Sequence, residues 1–412
     1  MAAVGGSGGN MRTGIARGFV AAAVACLVLS VSACAHDTMS ATEVAGTPQS
    51  DFYSPPAESI PGQHGSVIRS KPLTGTSAVP GARNFLVLYR SVDAQNKPVA
   101  VSGTLAVPEG TPPAGGWPLI SWAPGTNGVA DVCAPSRTEG STPGKDEQAR
   151  WIAKGYAVAR TDYQGLGTPG PHGYLIGETE QRAMADIATA AGEVDRSVGT
   201  RWVAMGHSQG GHAALFAASA AGAWTPGSAP LGAVALAPAS HLGEQVRMAK
   251  WAVSNPLGKL GTGDVSLYLP LLVRGAQTIT DVDPARFLTQ RAQSLLPLAD
   301  SECTAGLRDR SKWGGLAPKD VFSKDGDVSG LLRVLDDNDP SGLSFTTPVL
   351  VLQGRSDMTV PLQSTDAMVA EQQVRGQSVD YRKYDDVDHS GIAAASFADA
   401  LGWVDTRFGI TR

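Results

Sequence analysis

The chain has no excess of positive charge: 33 Lys and Arg stand against 38 Asp and Glu, a formal charge of −5. A basic footprint for nucleic acid is missing, so no nucleic-acid partner is expected. An apolar run long enough to span a bilayer comfortably is missing near the start, where Phe19–Val31 falls short. There is no internal repeat and no extended run of like charge. Metal-ligand spacings are lacking as well. His207 and His212 have the wrong separation for a two-histidine zinc helix. Asp336-Asp337-Asn338-Asp339-Pro340 looks calcium-like, but Pro340 takes a ligand position and no closing Glu follows. No Gly-rich dinucleotide turn opens the chain's strand pattern, so Gly165-Leu166-Gly167 does not read as a cofactor turn. Neither a metal nor an organic cofactor is expected.

What is present is globular. Hydrophobic residues make up 42% against 17% charged, which indicates a large core and not a disordered chain. At 412 residues the chain exceeds the roughly 250–300 that one core usually serves, so an insertion or second lobe is expected.

Residues 1–33 read as a signal peptide: Arg12 and Arg17 precede the apolar run, with no acidic residue before it. Met11 reads as an alternative start. Val31-Ser32-Ala33-Cys34 resembles a bacterial lipobox, which would make Cys34 a lipid anchor and place the protein on the outer face of the cell membrane. The alternative is an ordinary small-residue cleavage site with an incidental cysteine. Residues 34–65 are rich in Ser, Thr, Pro, Gly and Ala and read as a flexible tether. Of four cysteines, Cys26 leaves with the signal and Cys34 is the anchor candidate. Cys133 and Cys303 remain, and in an oxidising compartment they are expected to pair; two buried free thiols are the alternative.

After the tether the pattern becomes regular. Two alternating strands, Asn84–Ser91 and Pro98–Val107, form a hairpin around Asp93 and Asn96. Apolar runs Trp117–Ala123, Tyr156–Thr161, Arg201–Met205, Gly232–Ala237, Pro348–Gln353 and Ser378–Tyr384 then alternate with helical stretches. Strands buried on both faces and separated by helices mean a doubly wound, mostly parallel α/β sheet. The rhythm fails over 239–345, which reads as a largely helical cap inserted into a core of 66–238 and 346–412.

Gly206-His207-Ser208-Gln209-Gly210 matches G-x-S-x-G. The pattern alone is weak, since Gly5-Gly6-Ser7-Gly8-Gly9 also fits it. Context separates the two. Ser208 lies between a β run and the Ala-rich helix Gln209–Ala220, where a strained strand-to-helix turn exposes a nucleophile. The backbone N–H of Gln209, at the helix start, could stabilise an oxyanion. A serine needs a base, and His389 is the one histidine after the strand Pro348–Gln353. Asp357, just past that strand, is the expected acid; Asp385, Asp386 and Asp388 are nearer in sequence but read as a solvated turn. His172 reads as a surface or pocket-rim residue, His212 as packed behind the turn, and His207 as a residue that tunes the pocket. The second oxyanion donor is expected from Trp122–Gly128, with the Thr126 N–H favoured over Gly125.

These residues resemble the secretory lipase family of α/β-hydrolases. The resemblance rests on Pro124-Gly125-Thr126, Cys133-Ala134-Pro135-Ser136, Asp162-Tyr163-Gln164-Gly165-Leu166-Gly167, the Ser208 turn, Gly354-Arg355-Ser356-Asp357 and Asp388-His389. It covers nearly all of the chain past the tether. It implies carboxylic-ester hydrolysis of small-molecule or lipid esters by a Ser208–Asp357–His389 triad, without cofactor and under a helical cap. Pro124 stands where many α/β-hydrolases have His before the oxyanion glycine. A peptidase or acyltransferase would use the same triad, and an inactive scaffold serving as a surface binding protein is a further alternative. Within the cap, Val265–Val273 is the most apolar stretch. If Leu269 and Leu271 line the substrate cavity, medium-chain esters should be preferred over acetate; otherwise they form the cap's own core.

Overall fold

The computed structural model describes residues 51–137, 144–253 and 265–412. The signal segment, Cys34 and the tether up to residue 50 lie outside the described residues. From Asp51 onward the expected tether is corrected. Tyr53 is buried and its hydroxyl donates to the Ser136 carbonyl at 2.9 Å. His64 Nδ1 lies 2.7 Å from the Asp186 carboxylate, with its ring against Trp224. The small polar residues dominate that stretch by number, but Tyr53 and His64 decide its behaviour.

Strands β1 (Val67–Pro72), β2 (Ala82–Val92) and β3 (Pro98–Pro108) form an antiparallel ladder. In the β2–β3 turn Asn96 takes φ 59°, and the Asp93 carboxylate accepts the amides of Gln95 and Lys97. Short polar side chains close such turns on their own backbone. Then follow β4 (Trp117–Ala123), α1 (Lys145–Ala153), β5 (Ala157–Thr161), α2 (Gly177–Val194), β6 (Val198–His207), α3 (Gln209–Trp224) and β7 (Ala233–Leu236). The insertion carries α4 (Leu242–Ala252), α5 (Val265–Gln277), α6 (Gln290–Leu295), α7 (Thr304–Leu307), α8 (Pro318–Val321) and α9 (Ser329–Asp337). The sheet resumes with β8 (Val349–Gly354), α10 (Leu362–Val374) and β9 (Val379–Tyr384), and α11 (Ile392–Ala395) and α12 (Phe397–Phe408) close the chain.

The nine strands lie in the order β1-β2-β3-β5-β4-β6-β7-β8-β9, parallel from β5 onward. Both faces of the central strands are covered, which is why their sequences run apolar without alternation. One face packs on α2, α3 and α10 through Ala183, Ile187, Ala214, Leu215 and Met368. The other packs on α1 and α12 through Trp151, Ile152, Trp403 and Val404. The cap has its own core, in which Leu269, Leu271, Phe287, Trp313, Phe322 and Leu331 meet Tyr174, Leu175 and Ile176 from the sheet's loops.

Cys133 and Cys303 are bonded, with Sγ–Sγ 2.07 Å and Cα–Cα 5.4 Å. The bond ties the loop after β4 to the residue preceding α7. It closes a loop of 170 residues, for which chain entropy alone gives about 5 kcal/mol of stabilisation as an upper figure. Replacing both cysteines by alanine is expected to lower the urea midpoint accordingly. An unchanged midpoint would show that the bond adds nothing to the folded state.

Candidate active site

The C-terminal ends of the parallel strands carry the candidate residues. Ser208 follows β6 directly and opens α3 with φ 58° and ψ −115°, a region that L-residues rarely occupy. Three hydrogen bonds clamp this turn: Ser208 N–H to the Leu236 carbonyl (2.8 Å), and the amides of His212 (3.0 Å) and Ala239 (3.2 Å) to the Ser208 carbonyl. The flanking glycines are obligatory. A Cβ on Gly206 would overlap the Gly210 carbonyl, and one on Gly210 would overlap that of Ala123.

Asp357 and His389 meet from the loops after β8 and β9. His389 Nδ1 lies 2.7 Å from Asp357 Oδ2. The Asp357 side chain has no solvent exposure, against 19% for His389. Asp357 Oδ1 accepts the amides of Thr359 (2.9 Å) and Val360 (2.8 Å), while the Gln353 side chain donates to Oδ2 at 3.1 Å. Four donors thus hold one buried carboxylate in a fixed orientation. The rival acids are engaged elsewhere. Asp388 accepts from Ser390 and the Gly391 amide, and Asp385 pairs with Arg355 at 2.7 Å.

Ser208 and His389 face one cavity of about 250 Å³, shared with Trp122, Gly125, Thr126, Asn127, Glu147 and His207. A second cavity of about 30 Å³ touches Ser208 from the cap side, lined by Leu175, Leu242, Tyr268, Leu272 and Val360. Thr126 and Tyr268 border both. The Thr126 hydroxyl is bonded to the Tyr174 hydroxyl at 2.9 Å, which fixes its loop. A Cβ on Gly125 would stand 3.7 Å from that of Ser208, so this backbone approaches the nucleophile closely. Gln209 is the first residue of α3, where amides lack an intrahelical acceptor.

Leu269 and Leu271 are not lining residues. Both are fully buried in the cap core, and neither borders either cavity touching Ser208. The segment is the helix α5, so Tyr268 and Leu272, four apart, share the face turned to the site while 269 and 271 turn away. His172 is likewise corrected: it is 3% exposed and packed against Tyr163. Among the described residues no cluster of His, Cys, Asp and Glu could hold a metal, and no helix is long and apolar enough to cross a membrane.

No family model matches the chain. Two curated relatives are each 25% identical: a "Probable inactive lipase" of Mycobacterium tuberculosis, over 87% of this chain and 81% of that one, and "Lipase A" of Arthroderma benhamiae, over 87% and 79%. The fold is close to that of Candida antarctica lipase A, with TM-score 0.67 and 18% identity over 88% of this chain and 86% of the other. It is equally close to a rice cell wall degrading esterase, LipA of Xanthomonas oryzae, with TM-score 0.66 and 20% identity over 84% and 98%. The chain has the α/β-hydrolase fold and is similar to proteins named lipases.

In this fold a residue with no sequence signal stands out beneath the Ser208 turn. Glu180 of α2 is buried and bonded to both Gln209 and His212. Nothing at its position marks it, because its partners lie 29 and 32 residues away. His207 adds a second layer over His389. Its Nε2 donates to the His389 carbonyl at 2.8 Å, and the two rings lie 4.4 Å apart. Burial first, and the neighbouring His389 second, push the His207 pKa down to about 4.

A histidine with a depressed folded pKa binds its proton more readily when unfolded. Its contribution to stability is therefore complete above about pH 6.5 and is lost as pH falls towards 4. The interval corresponds to about 3 kcal/mol. Urea unfolding at stepped pH should show the wild type losing that much more than His207→Gln between pH 6.5 and 4. Parallel stability curves would show that His207 does not resist protonation.

Proposed function

We propose that the chain hydrolyses carboxylic esters through an acyl-enzyme on Ser208. The observation that carries this reading is the shared cavity: a serine on a strained turn faces a histidine whose other ring nitrogen is held by a buried carboxylate. The Asp357 contact at Nδ1 leaves Nε2 of His389 to take the Ser208 proton as Oγ attacks the ester carbonyl carbon. Negative charge then develops on the carbonyl oxygen, and the backbone N–H groups of Gln209 and Thr126 are assigned to stabilise it. His389 returns its proton to the departing alcohol. Water, deprotonated by the same nitrogen, then releases the acid. No hydrogen bond joins Ser208 to His389 among the described residues; contacts of this type tighten in the Michaelis complex.

A second reading has a specific observation behind it. One relative is named an inactive lipase, so a scaffold without turnover is the competing outcome. Labelling by a fluorophosphonate separates them: the wild type should take the label and Ser208→Ala should not. Ser208→Ala and His389→Ala should each cut kcat on the order of 10⁴–10⁶-fold, without additivity, and Asp357→Asn somewhat less. An unlabelled, correctly folded wild type would leave the scaffold reading. A panel of matched esters and amides tells an esterase from a peptidase.

The site is further read as extracytoplasmic, supported by the bonded Cys133–Cys303 pair and the signal-like start. Anchoring through Cys34 belongs to the same proposal, and fractionation of Cys34→Ala against wild type tests it.

The two cavities suggest how an ester would lie. The apolar one holds roughly two water volumes, which suits an acetyl- or propionyl-sized acyl group. The wider one, with Glu147 and Asn127 in its wall, suits a polar alcohol. The medium-chain preference expected from Leu269 and Leu271 loses its basis, since neither lines a cavity at Ser208. Acetate and propionate esters should outrun octanoate, and Leu272→Ala should move the optimum to longer chains by up to about fourfold in kcat/KM per methylene admitted. A wild-type optimum at octanoate would refute this arrangement.

A further inference from the structure

Beneath the Ser208 turn lies a buried polar cluster joined by hydrogen bonds. Glu180 is 1% exposed. Its Oε1 accepts the Leu175 amide (3.1 Å) and the Gln209 side-chain amide (2.9 Å), and its Oε2 faces His212 Nδ1 at 2.7 Å. Two N–H donors thus converge on Oε1 and an imidazole nitrogen faces Oε2. His212 is held through its other nitrogen as well. Its Nε2 lies 2.8 Å from the Asn338 carbonyl, which can only accept. Nε2 therefore donates, and one proton lies between Nδ1 and Glu180 Oε2, carried by the ring in the ion-paired form.

His172 completes the set in the opposite state. Its Nδ1 donates to the Gln164 carbonyl at 2.9 Å, which leaves Nε2 to accept the second amide hydrogen of Gln209 at 3.2 Å. Burial depresses the His172 pKa, in keeping with a neutral ring. Burial acts on His212 too, but there the Glu180 charge outweighs it and raises the pKa above the ordinary value.

We propose that Glu180 and His212 are positioning residues for the oxyanion hole: their buried ion pair locks the Gln209 side chain, and with it the Gln209 peptide N–H, beside Ser208. This rests on the acyl-enzyme reading above. A positional role fits the physics better than a stabilising one. Buried ion pairs add little net stability over apolar residues of the same volume. What they add is direction, since each donor is held along a fixed line. The cluster also reaches the cap. Asn338 follows α9, and its side-chain oxygen accepts the Gly177 amide at the start of α2 at 2.9 Å. One ion pair thus joins α2, α3 and the exit of the cap directly behind the nucleophile.

Two measurements test the proposal. In ¹⁵N spectra of the ring nitrogens at pH 7.5, His212 should be protonated at both nitrogens and His172 at Nδ1 alone. Glu180→Gln should lower kcat on the order of 10²-fold, leave KM within about twofold, and weaken a boronic-acid transition-state mimic in parallel with kcat. Should Glu180→Gln not fold, Gln209→Met keeps the ion pair, removes only its link to the turn, and should show the same split. A labelled wild type with a neutral His212, or either variant at full kcat whatever its melting temperature, overturns the positioning role alone. A wild type that takes no fluorophosphonate label removes the acyl-enzyme reading, and this role with it.

Discussion

Ser208 holds a backbone conformation that costs an L-residue on the order of 1–3 kcal/mol, and much of the surrounding structure answers that constraint. The strain persists because the turn has nowhere to relax. Its amide is taken by β7, and its carbonyl accepts from both α3 and the chain leaving β7. The same constraint dictates composition. Gly206 and Gly210 leave no room for a Cβ, and behind them Ala213, Ala214, Ala217 and Ala218 are fully buried. A helix of small residues can lie close to the sheet, and only close packing keeps the turn sharp.

Close packing leaves little space for water, so polar groups near the turn must satisfy one another. This accounts for the density of directed polar contacts around Ser208. Gln353 holds Asp357, Asp357 orients His389, and His207 caps the His389 carbonyl. On the other side Glu180, His212 and His172 enclose Gln209. The two sets have opposite electrostatic character. His207 is held neutral by burial beside another imidazole, whereas at His212 the Glu180 charge outweighs burial and raises the pKa. His389 sits between a ring that resists charge and a buried carboxylate.

The sheet was legible because its signal is local. Trp117–Ala123 begins and ends where the apolar run does, and α3 starts at Gln209 as the Gly-Ser-Gly context implies. β1 was not legible: its Arg69, Ser70 and Lys71 are those of an exposed edge strand, without alternation. Asp357 could be assigned from its place after β8, since a strand end is a sequence feature. Glu180 could not, because a glutamate in the first turn of a helix is ordinarily solvated and only the tertiary fold brings α3 over it. Leu269 and Leu271 were misplaced for a geometric reason. Apolarity says that a segment is buried, and only the 3.6-residue period of α5 says which side chains meet the site. Cys34 lies outside the described residues, so its reading still rests on sequence.

The cap is tied to this machinery more firmly than an inserted domain needs to be. Where it leaves the sheet, the Ala239 amide bonds to the Ser208 carbonyl. Where it returns, the Asn338 carbonyl bonds to His212. Between these, the Cys133–Cys303 bond anchors its middle to the loop that follows the oxyanion segment. Lifting the cap as a rigid body would therefore pull on the Ser208 peptide and on the loop after Gly125 and Thr126. Access to Ser208 is better served by side chains than by domains. Tyr268 borders both cavities from the cap side, and its hydroxyl accepts from Arg308 at 2.8 Å. The backbone around Ser208 is thus held by the sheet, by α3 and by both ends of the cap.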